Sequence, residues 1–170
     1  SASPITVYGI GPTYSAEATA NAAGKNHACA LIDDGFVQCW GSNSFRQLGD
    51  GSQTSSDIPV VVSDIGDTAN TAIAIAGGAD HSCAVLSDGT MMCWGYNTYG
   101  QLGDGSDTST YDPTAIDSSV FDSLVLNTSI GSYYSCAVTT GSKAYCWGQN
   151  MFATLGDGNS SGSSDLQEVA

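Results

Sequence analysis

Apolar and polar residues alternate along this chain in short runs, and each run stops at Gly, Asp or Ser. The clearest is Ala72-Ile73-Ala74-Ile75-Ala76, halted by Gly77-Gly78. Two more runs, residues 81–86 and 90–94, flank Ser87-Asp88-Gly89. Period-two alternation bounded by turn residues predicts strands, and the short Gly-ended connection predicts a hairpin. A fourth run, residues 59–62, opens on Pro59, which costs no ladder bond at a strand start. Together these make a unit of four short strands. Ala16-Glu17-Ala18-Thr19-Ala20-Asn21-Ala22-Ala23 favours helix by propensity. Its alternate alanines nevertheless fall in register with Ala72, Ala74 and Ala76, so a strand is predicted there too. Small side chains suit an inner strand where neighbouring units converge.

That register comes from an internal repeat. His27-Ala28-Cys29-Ala30-Leu31, His81-Ser82-Cys83-Ala84-Val85 and Tyr134-Ser135-Cys136-Ala137-Val138 superimpose. Each is followed by Cys-Trp-Gly, at 39–41, 93–95 and 146–148, then by Leu-Gly-Asp-Gly at 48–51, 102–105 and 155–158. The Pro-led runs at 3–7, 58–62 and 112–116 share one register, and residues 165–170 enter it again. Repeat 1 is therefore placed at 1–56, repeat 2 at 57–111 and repeat 3 at 112–164. Residues 165–170 read as the lead strand of a further repeat, or as a strand donated to a neighbour.

The string His-x-Cys-Ala-Leu, Asp-Gly, Cys-Trp-Gly, Gln-Leu-Gly-Asp-Gly resembles the repeat of the regulator of chromosome condensation family. The ending reads through Gln47-Leu48-Gly49-Asp50-Gly51 and Gln101-Leu102-Gly103-Asp104-Gly105, while the third copy departs with Ala153-Thr154-Leu155. The resemblance implies an all-β fold of propeller-type blades, each of four antiparallel strands. Three repeats of 53–54 residues, the spacing of Trp40, Trp94 and Trp147, do not close a ring by one chain alone. The founding members are nuclear nucleotide-exchange factors on chromatin, whereas similar bacterial propellers are secreted and include β-lactamase inhibitors. Fold does not select among these. No residue here can be matched to the loops that carry exchange activity.

Charge narrows the choice. The 170 residues carry 17 acidic and 3 basic side chains, for a net −14. Phosphate neutralisation needs clustered Lys or Arg, and only Lys25, Arg46 and Lys143 are present. Nucleic acid is thus no expected partner. No run approaches the roughly 20 apolar residues of a membrane span, so no membrane insertion is expected either. The N-terminal residues show no signal-peptide pattern; a start on Ser1 reads as a mature form or an excised piece.

All six cysteines occupy equivalent positions, ten residues apart within each hairpin. A three-residue loop, Asp33-Asp34-Gly35, sets Cys29 opposite Cys39, with Gly35 supplying the positive φ such a loop wants. Directly opposed Cβ atoms lie about 4.5–5.5 Å apart, close to disulfide range. Cys83–Cys93 and Cys136–Cys146 repeat the geometry. Buried free thiols and a metal site with His27 or His81 are the rival readings, the latter lacking its His in copy three, where Tyr134 stands. Disulfides point to an extracellular or cell-surface location.

The remaining chemistry is sparse. The tryptophans are expected to pack between blades, and the Asp residues of Leu-Gly-Asp-Gly to serve as turn residues rather than calcium ligands. His27 and His81 are expected to be structural hydrogen-bonders. No nucleophile elbow, phosphate loop or zinc-hydrolase motif occurs, so neither enzyme activity nor a cofactor is expected. Glycosylation sequons stand at Asn159, in an accessible loop, and at Asn127, on the crowded inner strand. Phe45, Tyr96, Tyr99 and Phe152, in the loops after Cys-Trp-Gly, are candidate partner contacts.

The leading expectation is an extracellular, non-enzymatic repeat protein with a structural or adhesive role, assembling head to tail as a ring or filament. In that case apolar rows at both ends, Ile5 and Val7, Leu166 and Val169, would await a neighbour. The alternative is a secreted propeller whose loop face captures a protein partner or inhibits an enzyme.

Overall fold

The computed structural model describes Val7, residues 17–67 and residues 70–169. Twelve strands form three separate four-stranded antiparallel sheets among these residues. The first blade comprises β1 (Ala18–Ala23), β2 (His27–Ile32), β3 (Val37–Gly41) and β4 (Ser56–Val61). The second holds β5 (Ala72–Gly77), β6 (His81–Leu86), β7 (Met91–Gly95) and β8 (Thr110–Ala115). The third holds β9 (Val125–Ile130), β10 (Tyr134–Thr139), β11 (Ala144–Gly148) and β12 (Ser163–Glu168), after a short 3-10 turn at Ser118–Val120. Strand order within each sheet is the chain order.

The Ala-rich segment is strand. In β1, Ala22 pairs with Cys29 as Ala76 of β5 pairs with Cys83. Tertiary pairing overrides local helix propensity here, because β1 packs beside β5 and completes a ladder no helix could join. β5 likewise lies beside β9, so the three Ala-type strands form the inner edge of the array.

The sheet and the sequence repeat are out of phase by one strand. The Pro-led runs at 58–62 and 112–116 supply the outer strand of the preceding blade: β4 pairs with β3 through Cys39↔Val60, and β8 with β7 through Cys93↔Thr114. Residues 165–168 follow the same rule. They lie in β12, which pairs with β11 through Cys146↔Gln167 and so closes this chain's own third sheet. Leu166, expected to be exposed, is buried in the core between the second and third blades. Val169 beside it is exposed. At the other end, residues 3–6 and thus Ile5 lie outside the described residues, and Val7 is exposed at 36%.

Two cores lie between blades. Leu31, Val37, Leu48 and Val62 of the first blade meet Ala84, Leu86 and Trp94 of the second. Val85, Met91, Leu102 and Ile116 of the second meet Ala137, Tyr145, Trp147 and Leu166 of the third. The strand alternation explains this directly, since one face of each blade turns forward and the other back.

Candidate functional site

The loops after Cys-Trp-Gly share one internal scaffold. The buried Asn43 amide donates to Asp50 Oδ1 (3.2 Å), Ser52 O and Thr54 O, while its Oδ1 accepts the Leu48 N–H (3.0 Å). Asn97 and Asn150 repeat the arrangement around Asp104 and Asp157. Asp50 also accepts Ser52 N–H and Oγ–H, so its carboxylate is occupied as a turn acceptor. These asparagines recur in register in the sequence, yet the sequence reading passed over them.

Each of the first two loops also clasps the next blade. Trp94 Nε1 and Ser82 Oγ both donate to the Gln47 carbonyl, at 3.0 Å each. Because the Ser82 hydroxyl proton goes to that carbonyl, its oxygen accepts from His27 Nε2 at 2.9 Å. Between the second and third blades, Trp147, Ser135, Gln101 and His81 do the same, at 2.8–3.0 Å. The histidines are therefore neutral structural hydrogen-bonders carrying their proton on Nε2. Burial lowers the His27 pKa to about 4. For His81, burial and then the charge of His27 lower it to about 3.

The two outer faces keep only part of this clasp. Where Ser82 and Ser135 stand, the first blade has Ala28. Where His27 and His81 stand, the third blade has Tyr134, and Thr154 replaces Gln47 and Gln101. A second copy stacked head to tail would bring the Trp40 indole and the Thr154 carbonyl to the matching places but neither the serine hydroxyl nor the histidine.

Above the clasps the loop face carries aromatic rings. Phe45 lies 5.1 Å from Tyr96, Tyr96 lies 6.2 Å from Tyr99, and both tyrosines reach Tyr133, at 6.1 and 5.4 Å. One aromatic cluster thus bridges all three blades. Phe45 and Tyr99 are more than two-fifths exposed, and Phe152 stands apart, 83% exposed beside exposed Met151. Tyr133 was missed by the sequence reading, because it follows a different strand from the others and occupies the register position of Asn26 and Asp80.

Beside the cluster, a groove of about 450 Å³ runs between the second and third loops, lined by Tyr99, Gly100, Asp107, Met151, Gly162 and Ser164, among others. At the sibling junction Arg46, in the left-handed region at φ 67°, lays its guanidinium 3.8 Å from the Tyr111 ring and donates from Nη1 to Ser109 O (2.6 Å).

The cysteines are joined as Cys29–Cys39, Cys83–Cys93 and Cys136–Cys146. The first two lie between blades, and the third faces outward with Cys136 half-buried. Asn159 is exposed. Asn127, expected to be crowded, is exposed as well, since the forward side of β9 meets no further blade among the described residues.

The fold and its inter-blade clasps define an open array of three propeller blades. The profile of the regulator of chromosome condensation (RCC1) repeat matches residues 34–85 and 88–138, and a second profile of that repeat matches 72–101 and 125–152. The chain belongs to this family. It is 31% identical over 138 residues to the ultraviolet-B receptor UVR8 of Arabidopsis thaliana, covering 81% of this chain and 31% of the receptor. Human WBSCR16 superposes with a TM-score of 0.81 at 24% identity, over 92% of this chain and 38% of that one. Yeast RCC1 (Prp20), in its complex with Kap60, gives 0.78 at 22%, over 90% and 37%. The chain spans about a third of the length of each.

Proposed function

We propose that this chain is a non-enzymatic protein-binding propeller array of the extracellular space or cell surface, capturing its partner with the loop face. The aromatic cluster of Phe45, Tyr96, Tyr99 and Tyr133, with exposed Phe152 beyond it, carries this reading. Exposed aromatic rings on a rigid scaffold are what protein interfaces use as anchors, and a contiguous exposed apolar patch of this kind marks an interaction surface. The Kap60-bound relative supports a protein as the class of partner. Three intrachain disulfides support an oxidising location.

Head-to-tail assembly into a ring or filament is the weaker reading. Ala28 and Tyr134 remove the hydroxyl and the imidazole that take part in holding blade to blade elsewhere in the chain. Leu166, offered as a sticky end, is already buried.

The test compares the wild type with Phe45→Ser/Tyr99→Ser/Phe152→Ser as bait against extracellular fractions of the source organism. None of the three side chains belongs to an inter-blade core, so the variant should remain folded. A protein that binds the wild type reversibly and the triple variant at least about tenfold more weakly supports the loop face. Equal binding by both, or a wild type that exists in solution only as a ring or filament, sinks it.

A further inference from the structure

The two inter-blade junctions differ at the register position of Arg46 and at those it contacts. At the first, Arg46 fills the space between loops, stacking on Tyr111 and donating to the Ser109 carbonyl. At the second, the equivalent residue is Gly100, with the same left-handed backbone (φ 72°) and no side chain. The Ser164 backbone closes in on Gly100 and leaves no room for a Cβ there, and the groove lies beside this contact, between Tyr99 and Met151, with Gly162 in the place of Ser109 and Ser164 in that of Tyr111.

We propose that this groove receives an arginine side chain from the protein partner. The proposal rests on the loop-face reading and specifies what the partner must present. Four observations carry it. Asp107 lines the groove and makes no hydrogen bond or ion pair with the described residues, whereas Asp104 nearby is occupied by Asn97 and Ser106. An unengaged carboxylate is the natural counter-charge for a guanidinium. Tyr99 offers a ring 43% exposed, and a guanidinium stacks on an aromatic face as Arg46 does on Tyr111. Met151, 65% exposed, supplies an apolar wall for the aliphatic stem. Finally, the net charge of −14 attracts basic segments over a distance, and none of this chain's own cations lines the groove. Arg46 is engaged by the second blade, and Lys143 pairs with Glu168 at 3.0 Å.

The probe is N-acetyl-arginine N-methylamide, titrated into the isotope-labelled chain with the norleucine analogue as control. Saturable amide shifts confined to Tyr99, Gly100, Asp107, Met151 and Gly162 are expected with arginine alone. Asp107→Asn, an exposed and unbonded position, should melt unchanged and bind about tenfold more weakly. Absence of saturable shifts, equal shifts with norleucine, or undiminished binding by Asp107→Asn overturns the proposal. The probe reads the groove without any partner. A silent groove alongside partner loss in the Phe45/Tyr99/Phe152 variant therefore removes only the arginine site. Arginine binding alongside unimpaired partner capture by that variant keeps the site and removes the loop-face reading.

Discussion

Trp94 Nε1 donates to the carbonyl of Gln47 at 3.0 Å, and this bond joins the second blade to a loop of the first. Ser82 Oγ uses the same acceptor and is itself held by His27, so two side chains share one buried carbonyl and a third backs the hydroxyl. Ser82→Ala should cost about 1–3 kcal/mol in urea denaturation, because it leaves buried His27 Nε2 unpaired. Ala28→Ser, at the same register position of the first blade, should stay within about 0.5 kcal/mol. Equal effects at the two positions would show that the clasp contributes nothing to stability.

Acid should loosen both junctions. The folded pKa of His27 is lowered to about 4 and that of His81 to about 3, from 6.5. Below 6.5 the unfolded chain takes up protons that the folded chain refuses, so stability is full above that pH. It is then lost progressively as pH falls towards about 4 and about 3. Each pKa unit corresponds to ~1.4 kcal/mol, which makes the total loss on the order of several kcal/mol. Urea midpoints measured from pH 7 to 4.5 should fall steadily, and His81→Asn should flatten the slope. The depressed carboxylates Asp88, Asp117 and Asp122 act in a lower window, contributing above their ordinary 3.8 and losing that contribution as pH falls below it. A wild-type midpoint constant between pH 7 and 4.5 contradicts the buried neutral assignment.

The three disulfides should separate by accessibility. Cys29–Cys39 and Cys83–Cys93 are sealed between blades, while Cys136 lies half-buried on an open face. Mild thiol under native conditions should open Cys136–Cys146 first, read as a gain of about two hydrogens mapped to that pair. Labelling of all six thiols without reductant would remove the support for an extracellular location.

Calcium should leave the melting temperature unchanged. Asp50, Asp104 and Asp157 already accept bonds from Asn43, Asn97 and Asn150. Asn97→Ala, by contrast, should cost roughly 2–3 kcal/mol, since it strands the Leu102 N–H and two loop carbonyls. A rise of several degrees at millimolar calcium, lost in Asp104→Ala, would reverse the assignment of these residues.

Removing residues 165–170 should destabilise the third blade itself. The cut strips most of β12 from β11 and uncovers the core around Trp147 and Leu166. Leu166→Ala alone should cost about 2–4 kcal/mol. Native mass spectrometry of the intact chain should show a 17.3 kDa monomer before and after the substitution. An assembly that dissociates on Leu166→Ala would instead restore the head-to-tail subunit.

Much was legible along the chain. Strand alternation, the Gly-ended hairpins and the opposition of Cys29 to Cys39 are local, set by side-chain period and turn conformation within a few residues. Repetition made even the Ala-rich segment decidable, because Ala18, Ala20 and Ala22 take the same ladder register as Ala72, Ala74 and Ala76. Which blade each Pro-led run joins was a tertiary decision. The choice between its own repeat and the preceding one depends on where an edge strand finds unpaired N–H and C=O groups, and β3, β7 and β11 offer them. Burial of Leu166 follows from that choice. So do the clasps on Gln47 and Gln101, whose carbonyls are backbone groups with no sequence signature. The joining of Tyr133 to Tyr96 and Tyr99, and the close approach of the Ser164 backbone to Gly100 where Arg46 reaches across at the other junction, arise only when blades stack. Residues 33 or more positions apart become neighbours there; the sequence held their identities, and only packing between sheets gave them partners.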